Sequence, residues 1–121
     1  MGLPKAPPTE AQSQDRNPGT KVYVIHEVDA PGVCKIGVAG DLAKRLMYLQ
    51  CGTWRRLTIA FASEVPTKAS AHAVERVVHQ YLAVHHVRGE WFRVTPDHAN
   101  QAVAEAIASL EAAFDVLDTQ Q

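Results

Sequence analysis

The sequence is short of most features that assign a protein by composition. Two cysteines in 121 residues, Cys34 and Cys51, are too few for a disulfide framework and lack the spacing of metal ligands. No apolar run approaches the roughly 20 residues that cross a bilayer, so no membrane span is expected. Met1-Gly2-Leu3-Pro4-Lys5-Ala6 has no signal-peptide hydrophobic region, and Ala6 stands where a myristoylation motif has Ser or Thr. A cytoplasmic protein is the expectation. Excess charge is also missing: 12 basic side chains face 13 acidic ones, which excludes a polycation that holds nucleic acid by net charge alone. Internal repeats are absent.

What is present is a chain that is 46% apolar, enough for one compact domain. Its charge is unevenly placed. Residues 21–94 carry ten basic and six acidic side chains, whereas residues 95–121 carry five acidic and no basic ones. An anionic partner would therefore meet the middle of the chain. Residues 1–20, with four prolines among Gln, Ser, Asn and Thr, cannot bury enough surface to offset their ordering entropy and are expected to be a disordered tail.

Local patterning predicts the elements. Lys21 to Val28, rich in Val, Ile and Tyr, reads as a strand; Asp29-Ala30-Pro31-Gly32 reads as a turn, and Val33 to Ala39 as the returning strand. Asp41 is the expected N-cap of a helix with a Leu42, Leu46, Leu49 stripe that stops at Gly52. A third strand spans Leu57 to Val65. Pro66-Thr67 opens a second helix to about Val84, buried through Val74, Val77, Val78, Tyr81 and Leu82. Trp91 to Val94 is a short strand. Thr95-Pro96-Asp97 starts a third helix that runs to about Leu117. The order β-β-α-β-α-β-α predicts an α+β fold on a small, mostly antiparallel sheet. A core over residues 21–94 would be followed by an amphipathic helix over 95–118 packed on it.

The hairpin register follows from alternation. If Val22 and Val24 share a covered face with Ile36 and Val38, paired residue numbers must sum to an even value near 60. That register sends Tyr23, Lys35 and Gly37 to the other face, with Gly37 opposite Tyr23 and open space beside a phenol and an ammonium. Singly, these residues also fit a half-buried strand aromatic, a solvated lysine and a bulge.

Together they resemble something specific. Val22-Tyr23 followed by Lys35-Ile36-Gly37 is similar to the paired strand motifs of the GIY-YIG nuclease superfamily. Arg45, eight residues after Gly37, matches that superfamily's helical arginine, and Glu75 matches its later glutamate. A phage- and helicase-associated branch carries Lys-Ile-Gly as its second motif, Glu-x-x-x-His on the helix and a closing Gly-Glu-Trp-Phe. Here these are Lys35-Ile36-Gly37, Glu75 with His79, and Gly89-Glu90-Trp91-Phe92. Lys21 stands where the first motif has glycine, and no asparagine closes the series at the position many members use.

The resemblance implies hydrolysis of phosphodiester bonds in DNA with one carboxylate and one metal. Tyr23 would activate or position the water, with Lys35 as the cation that lowers its phenol. Arg45 offers a planar fork of donors to phosphate oxygens. Glu75 would hold Mg²⁺, with Mn²⁺ as a possible substitute, since such ions commonly take one or two carboxylates and leave the rest to water and phosphate. His79 would assist as a supporting or proton-transfer residue. Gly37, Lys44, Trp54, Arg55 and Arg56 complete the expected substrate-contacting set.

Other readings of the same residues stay open. His72, Glu75 and His79 fall on one side of the second helix and could form a three-ligand zinc site, or simply a polar face. His85-His86 reads as a solvated loop. Trp54-Arg55-Arg56 could stack on a base and grip a phosphate, or be a tryptophan anchor beside solvated arginines. Trp91 and Phe92 read as core. The stripe Val103, Ile107, Leu110, Phe114, Leu117 would cover the sheet or form a homodimer seam on an otherwise monomeric domain. The leading expectation is a metal-dependent endonuclease acting on DNA, single- or double-stranded. The alternatives are a non-catalytic nucleic-acid-binding module and a protein-interaction adaptor.

Overall fold

A computed structural model describes residues 19–119, with side chains as far as residue 113. The expected tail lies outside the described residues, except for Gly19 and Thr20. Thr20 is buried, and its carbonyl accepts from the Val65 amide at 3.0 Å.

The strands are β1 (Lys21–Glu27), β2 (Ala30–Ala39), β3 (Leu57–Glu64), β4 (His86–Arg88) and β5 (Trp91–Phe92). Between and after them come α1 (Leu42–Cys51), α2 (Lys68–Tyr81), a single 3₁₀ turn (Ala83–His85) and α3 (Pro96–Thr119). All pairings are antiparallel, in the order β3-β1-β2-β5-β4, which makes the domain α+β as expected. No helix among the described residues is long and apolar enough to cross a membrane.

The hairpin adopts the expected register: Val22 pairs with Val38, Tyr23 with Gly37 and Val24 with Ile36. Its turn differs. The chain reverses at Val28-Asp29, Glu27 already pairs with Ala30, and the register then shifts before His26 meets Cys34. Pro31, Gly32 and Val33 therefore bulge out of β2 rather than forming the turn. Proline has no N–H to give the ladder, so a bulge is where a strand tolerates it.

Helix ends follow their capping residues. Asp41 accepts from the Lys44 amide at 3.0 Å and Gly52 closes α1. Thr67 and Ser70 cap α2 reciprocally through side chain and backbone. That helix stops at Tyr81, short of the expected Val84, and so Tyr81 is exposed instead of buried while Leu82 still reaches the core. A second departure is β4, which was expected to be loop. His86 pairs with Phe92, packs edge-on against its ring at 5.3 Å and binds the Gly89 carbonyl at 2.9 Å.

Each sheet face has its own core. Val22, Val24, Cys34 and Ile36 face α2 and α3, meeting Val74, Val78, Phe92, Ala99, Val103 and Ala106. Ile107 and Leu110 extend that contact, so the α3 stripe covers its own domain at least that far. The expected Phe114 and Leu117 side chains lie outside the described residues. On the opposite face Tyr23, Ile25, Ala39 and Leu57 are covered by Leu42, Leu46 and Leu49 of α1 and by Trp91. Cys34 is buried and donates to the Val94 carbonyl at 3.3 Å, and burial pushes its thiol up to about 11. It is an inert core residue.

Candidate active site

β5 pairs with β2 at Cys34 and Lys35, and the ladder ends where the Ile36 amide donates to the Glu90 carbonyl at 3.1 Å. Beyond this point the β2 edge has no strand beside it among the described residues, and α2 lies against this gap. His79 spans it: a ring nitrogen meets the Ile36 carbonyl at 3.1 Å, and the ring packs on Phe92 at 4.9 Å. The gap lets residues from both sheet faces meet. Tyr23 comes from β1, Lys35 from β2, Arg45 from α1, and His72 and Glu75 from α2; with Val38 and Glu90 they line one cavity of about 170 Å³.

Gly37 is what makes this approach possible. It lies opposite Tyr23, and the space expected there is filled rather than open. A β-carbon on Gly37 would fall 2.5 Å from the phenol oxygen and 2.9 Å from a Glu90 carboxylate oxygen. Tyr23 thus lies across the β2 backbone with its hydroxyl turned into the cavity. Gly89 makes the second local provision: its φ of +55° closes a two-residue turn between β4 and β5, which swings Glu90 toward Lys35.

Glu90 is the residue that sequence reasoning left without a role. Its carboxylate pairs with Lys35 at 3.1 Å and is hydrogen-bonded to Glu75. Two carboxyl groups so close favour a proton on one of them. Burial raises the Glu75 pKa, and the bond to Glu90 and its charge raise it further; His72, at 3.4 Å, works against them. Glu90 is lowered. Burial pushes it up, but its hydrogen bonds to Glu75 and Lys35 and the lysine charge outweigh that. Of the two, Glu75 is the one whose protonated form is favoured. The signal for Glu90 was its place in Gly89-Glu90-Trp91-Phe92; nothing in the spacing revealed which way it points.

The phenol of Tyr23 corrects a further expectation. It is pushed up to about 12, first by burial under α1 and then by the Glu90 charge, with Arg45 acting in the opposite sense. Lys35 does not activate it, because Lys35 is engaged by Glu90 and leans over the Trp91 ring at 5.8 Å. Tyr23 is a neutral hydrogen-bonding group near neutral pH. Arg45, by contrast, has no ion pair among the described residues, which leaves its guanidinium available to an anion.

The remaining expected residues stand apart. His79 with His72, Arg76, Gly89 and Glu90 lines an adjoining recess. The three-ligand zinc arrangement of His72, Glu75 and His79 does not form: His79 is turned to Ile36, and no group of three such ligands occurs among the described residues. Lys44 faces a neighbouring groove with Tyr48. Trp54 is no anchor; it is 87% exposed, with the Arg55 guanidinium 4.9 Å over its ring and Arg55 paired to Glu27. Neither of these nor Arg56 lines the cavity.

No curated protein and no solved structure matches the chain. The family model of the T5orf172 domain matches residues 20–107, from the residue before β1 to the middle of α3, and so spans every side chain that lines the cavity. The chain therefore belongs to the T5orf172 domain family, a phage-associated domain related to nuclease modules.

Proposed function

We propose that this domain is a GIY-YIG-type, metal-dependent endonuclease that hydrolyses phosphodiester bonds in DNA. The observation that carries the reading is the convergence of Tyr23, Lys35, Arg45 and Glu75, drawn from four elements, on one cavity. The nuclease association of the family supports it. A purely structural domain has no need for an unpaired arginine and two adjoining carboxyl groups facing one space.

Each side chain has a task in this reading. Arg45 presents paired N–H donors to the non-bridging phosphate oxygens and stabilises the charge that builds there as water attacks. Tyr23, held neutral, positions the attacking water through its hydroxyl. Lys35 fixes Glu90, and His79 holds α2 to the β2 edge and so keeps Glu75 in place. Glu75 and Glu90 offer oxygen ligands pressed together, a donor set that suits Mg²⁺ or Mn²⁺ and not zinc. When bound, such an ion would polarise the phosphate and aid the leaving oxygen.

The test is cleavage of single- and double-stranded DNA in Mg²⁺ or Mn²⁺, with Glu75→Ala as control. Cutting by the wild type and none by the variant is the expected result. Protein that binds DNA and never cuts would be a binding module, as Lys21 in the first motif and the missing asparagine would then explain. Protein that does neither would be an interaction adaptor.

A further inference from the structure

α1 carries an aromatic side chain that its packing does not use. Leu42, Leu46 and Leu49 form the buried stripe, while Tyr48 is 72% exposed. At about 100° per residue, Arg45 lies roughly 60° to one side of that stripe, Tyr48 roughly 120° and Lys44 roughly 160° on the same side. Tyr48 thus sits between two cations, three residues from one and four from the other.

These residues line a groove of about 410 Å³ whose other walls are Ala39, Gly40 and Asp41. Arg45 lines both this groove and the candidate active site, so the two adjoin. Ala39 and Gly40 project little into the groove and leave room for a flat ring. Neither Lys44 nor Arg45 has an ion-pair partner among the described residues. The one acid, Asp41, already accepts from the Lys44 amide. An exposed ring flanked by cations, beside a phosphate site, is the chemistry that holds a base by its face and the neighbouring backbone by charge.

We infer that Tyr48 is a stacking platform for an unpaired base next to the phosphate held at Arg45, so that the site favours single-stranded or locally unpaired DNA over duplex. This rests on the nuclease reading only for the place of the phosphate. A base inside a duplex has both faces covered by its neighbours and presents none to Tyr48.

The experiment measures binding without cleavage, on the full chain in EDTA, by fluorescence anisotropy. The probes are a labelled oligothymidylate, the same strand made abasic, and a labelled blunt duplex. Tyr48→Ala should weaken oligothymidylate binding about tenfold, from the loss of one stacked base. Tyr48→Phe should stay within about twofold of the wild type, as should Tyr48→Ala on the abasic strand and on duplex. Because Tyr48 is exposed, Tyr48→Ala should unfold at the wild-type denaturant concentration. An equal loss on all three probes, or none on oligothymidylate, would overturn the inference. A selective loss in a protein that never cuts DNA would uphold it while the nuclease reading fails. Cleavage together with unchanged Tyr48→Ala binding would do the reverse.

Discussion

Gly37 and Tyr23 face each other across the β1–β2 ladder so closely that the phenol occupies the volume a side chain on Gly37 would need. The nearest atoms are the ring carbon and hydroxyl of a tyrosine that is only 2% exposed. Gly37→Ala should therefore push Tyr23 out of place at a cost of about 1–3 kcal/mol, the usual range for overpacking. Urea unfolding would measure that loss, and cleavage should fall with it. A variant as stable and as active as the wild type would mean that the strands part at no cost.

Tyr23→Phe separates the ring from its hydroxyl. The ring fills the core between Ile25, Leu57 and the α1 leucines, and the hydroxyl faces the cavity. Stability should hold within about 1 kcal/mol, since a hydrogen bond contributes little net, while kcat drops sharply. Equal kcat in the two proteins would remove Tyr23 from the mechanism.

Arg45→Ala should lose cleavage and weaken DNA binding by about 1.5–3 kcal/mol, the value of a charge-assisted hydrogen bond. Glu75→Ala should also lose cleavage yet leave DNA binding intact or tighter, because it removes a carboxyl group and no phosphate contact. Binding should fall steeply with salt in all three proteins, with a shallower slope for Arg45→Ala. Titrations at two ionic strengths would distinguish these roles. If Arg45→Ala bound as tightly as the wild type, Arg45 would not touch the phosphate.

The raised pKa of Glu75 predicts an unusual pH profile. An acid raised above its ordinary value of 4.5 stabilises the fold while protonated, and that contribution is lost as pH climbs through the raised value. Glu90, lowered, works in the opposite sense and at pH below 4.5. Glu75→Gln keeps a donor toward Glu90 and cannot ionise. It should gain stability relative to the wild type as pH rises from 4.5 toward neutrality in EDTA. Thermal melts across that window check the sign, and parallel profiles would refute the upward shift of Glu75.

Much of this fold was legible because β2 alternates Ile36 and Val38 with Lys35 and Gly37, which sets the face that Val22 and Val24 share. That alternation, together with a turn near residue 30, set the pairing of Tyr23 with Gly37. Asp41, Gly52 and Thr67 marked helix ends by chemistry that acts within four residues. β4 was not legible: its three exposed residues carry no alternation and form a strand only because Phe92 and Trp91 pair with them. The convergence of Tyr23, Arg45 and Glu75 was legible only through likeness to a motif series. The upward shifts of Glu75 and Tyr23 were not, since both rest first on burial and then on where the Gly89 turn aims Glu90. Tyr48 passed unnoticed because its exposure, and not its spacing, is what sets it apart.

The uncovered length of β2 has one more consequence. A strand edge with free carbonyls and amides is a template for another chain, and proteins guard such edges with charge or cover. Here the guard is the site itself: the His79 ring takes the Ile36 carbonyl, and Lys35, Glu75 and Glu90 place charge around the gap. Stripping these side chains to alanine together would leave a bare β2 margin beside Val38. The residues proposed for catalysis would then also be what keeps copies of this domain from joining edge to edge into aggregates.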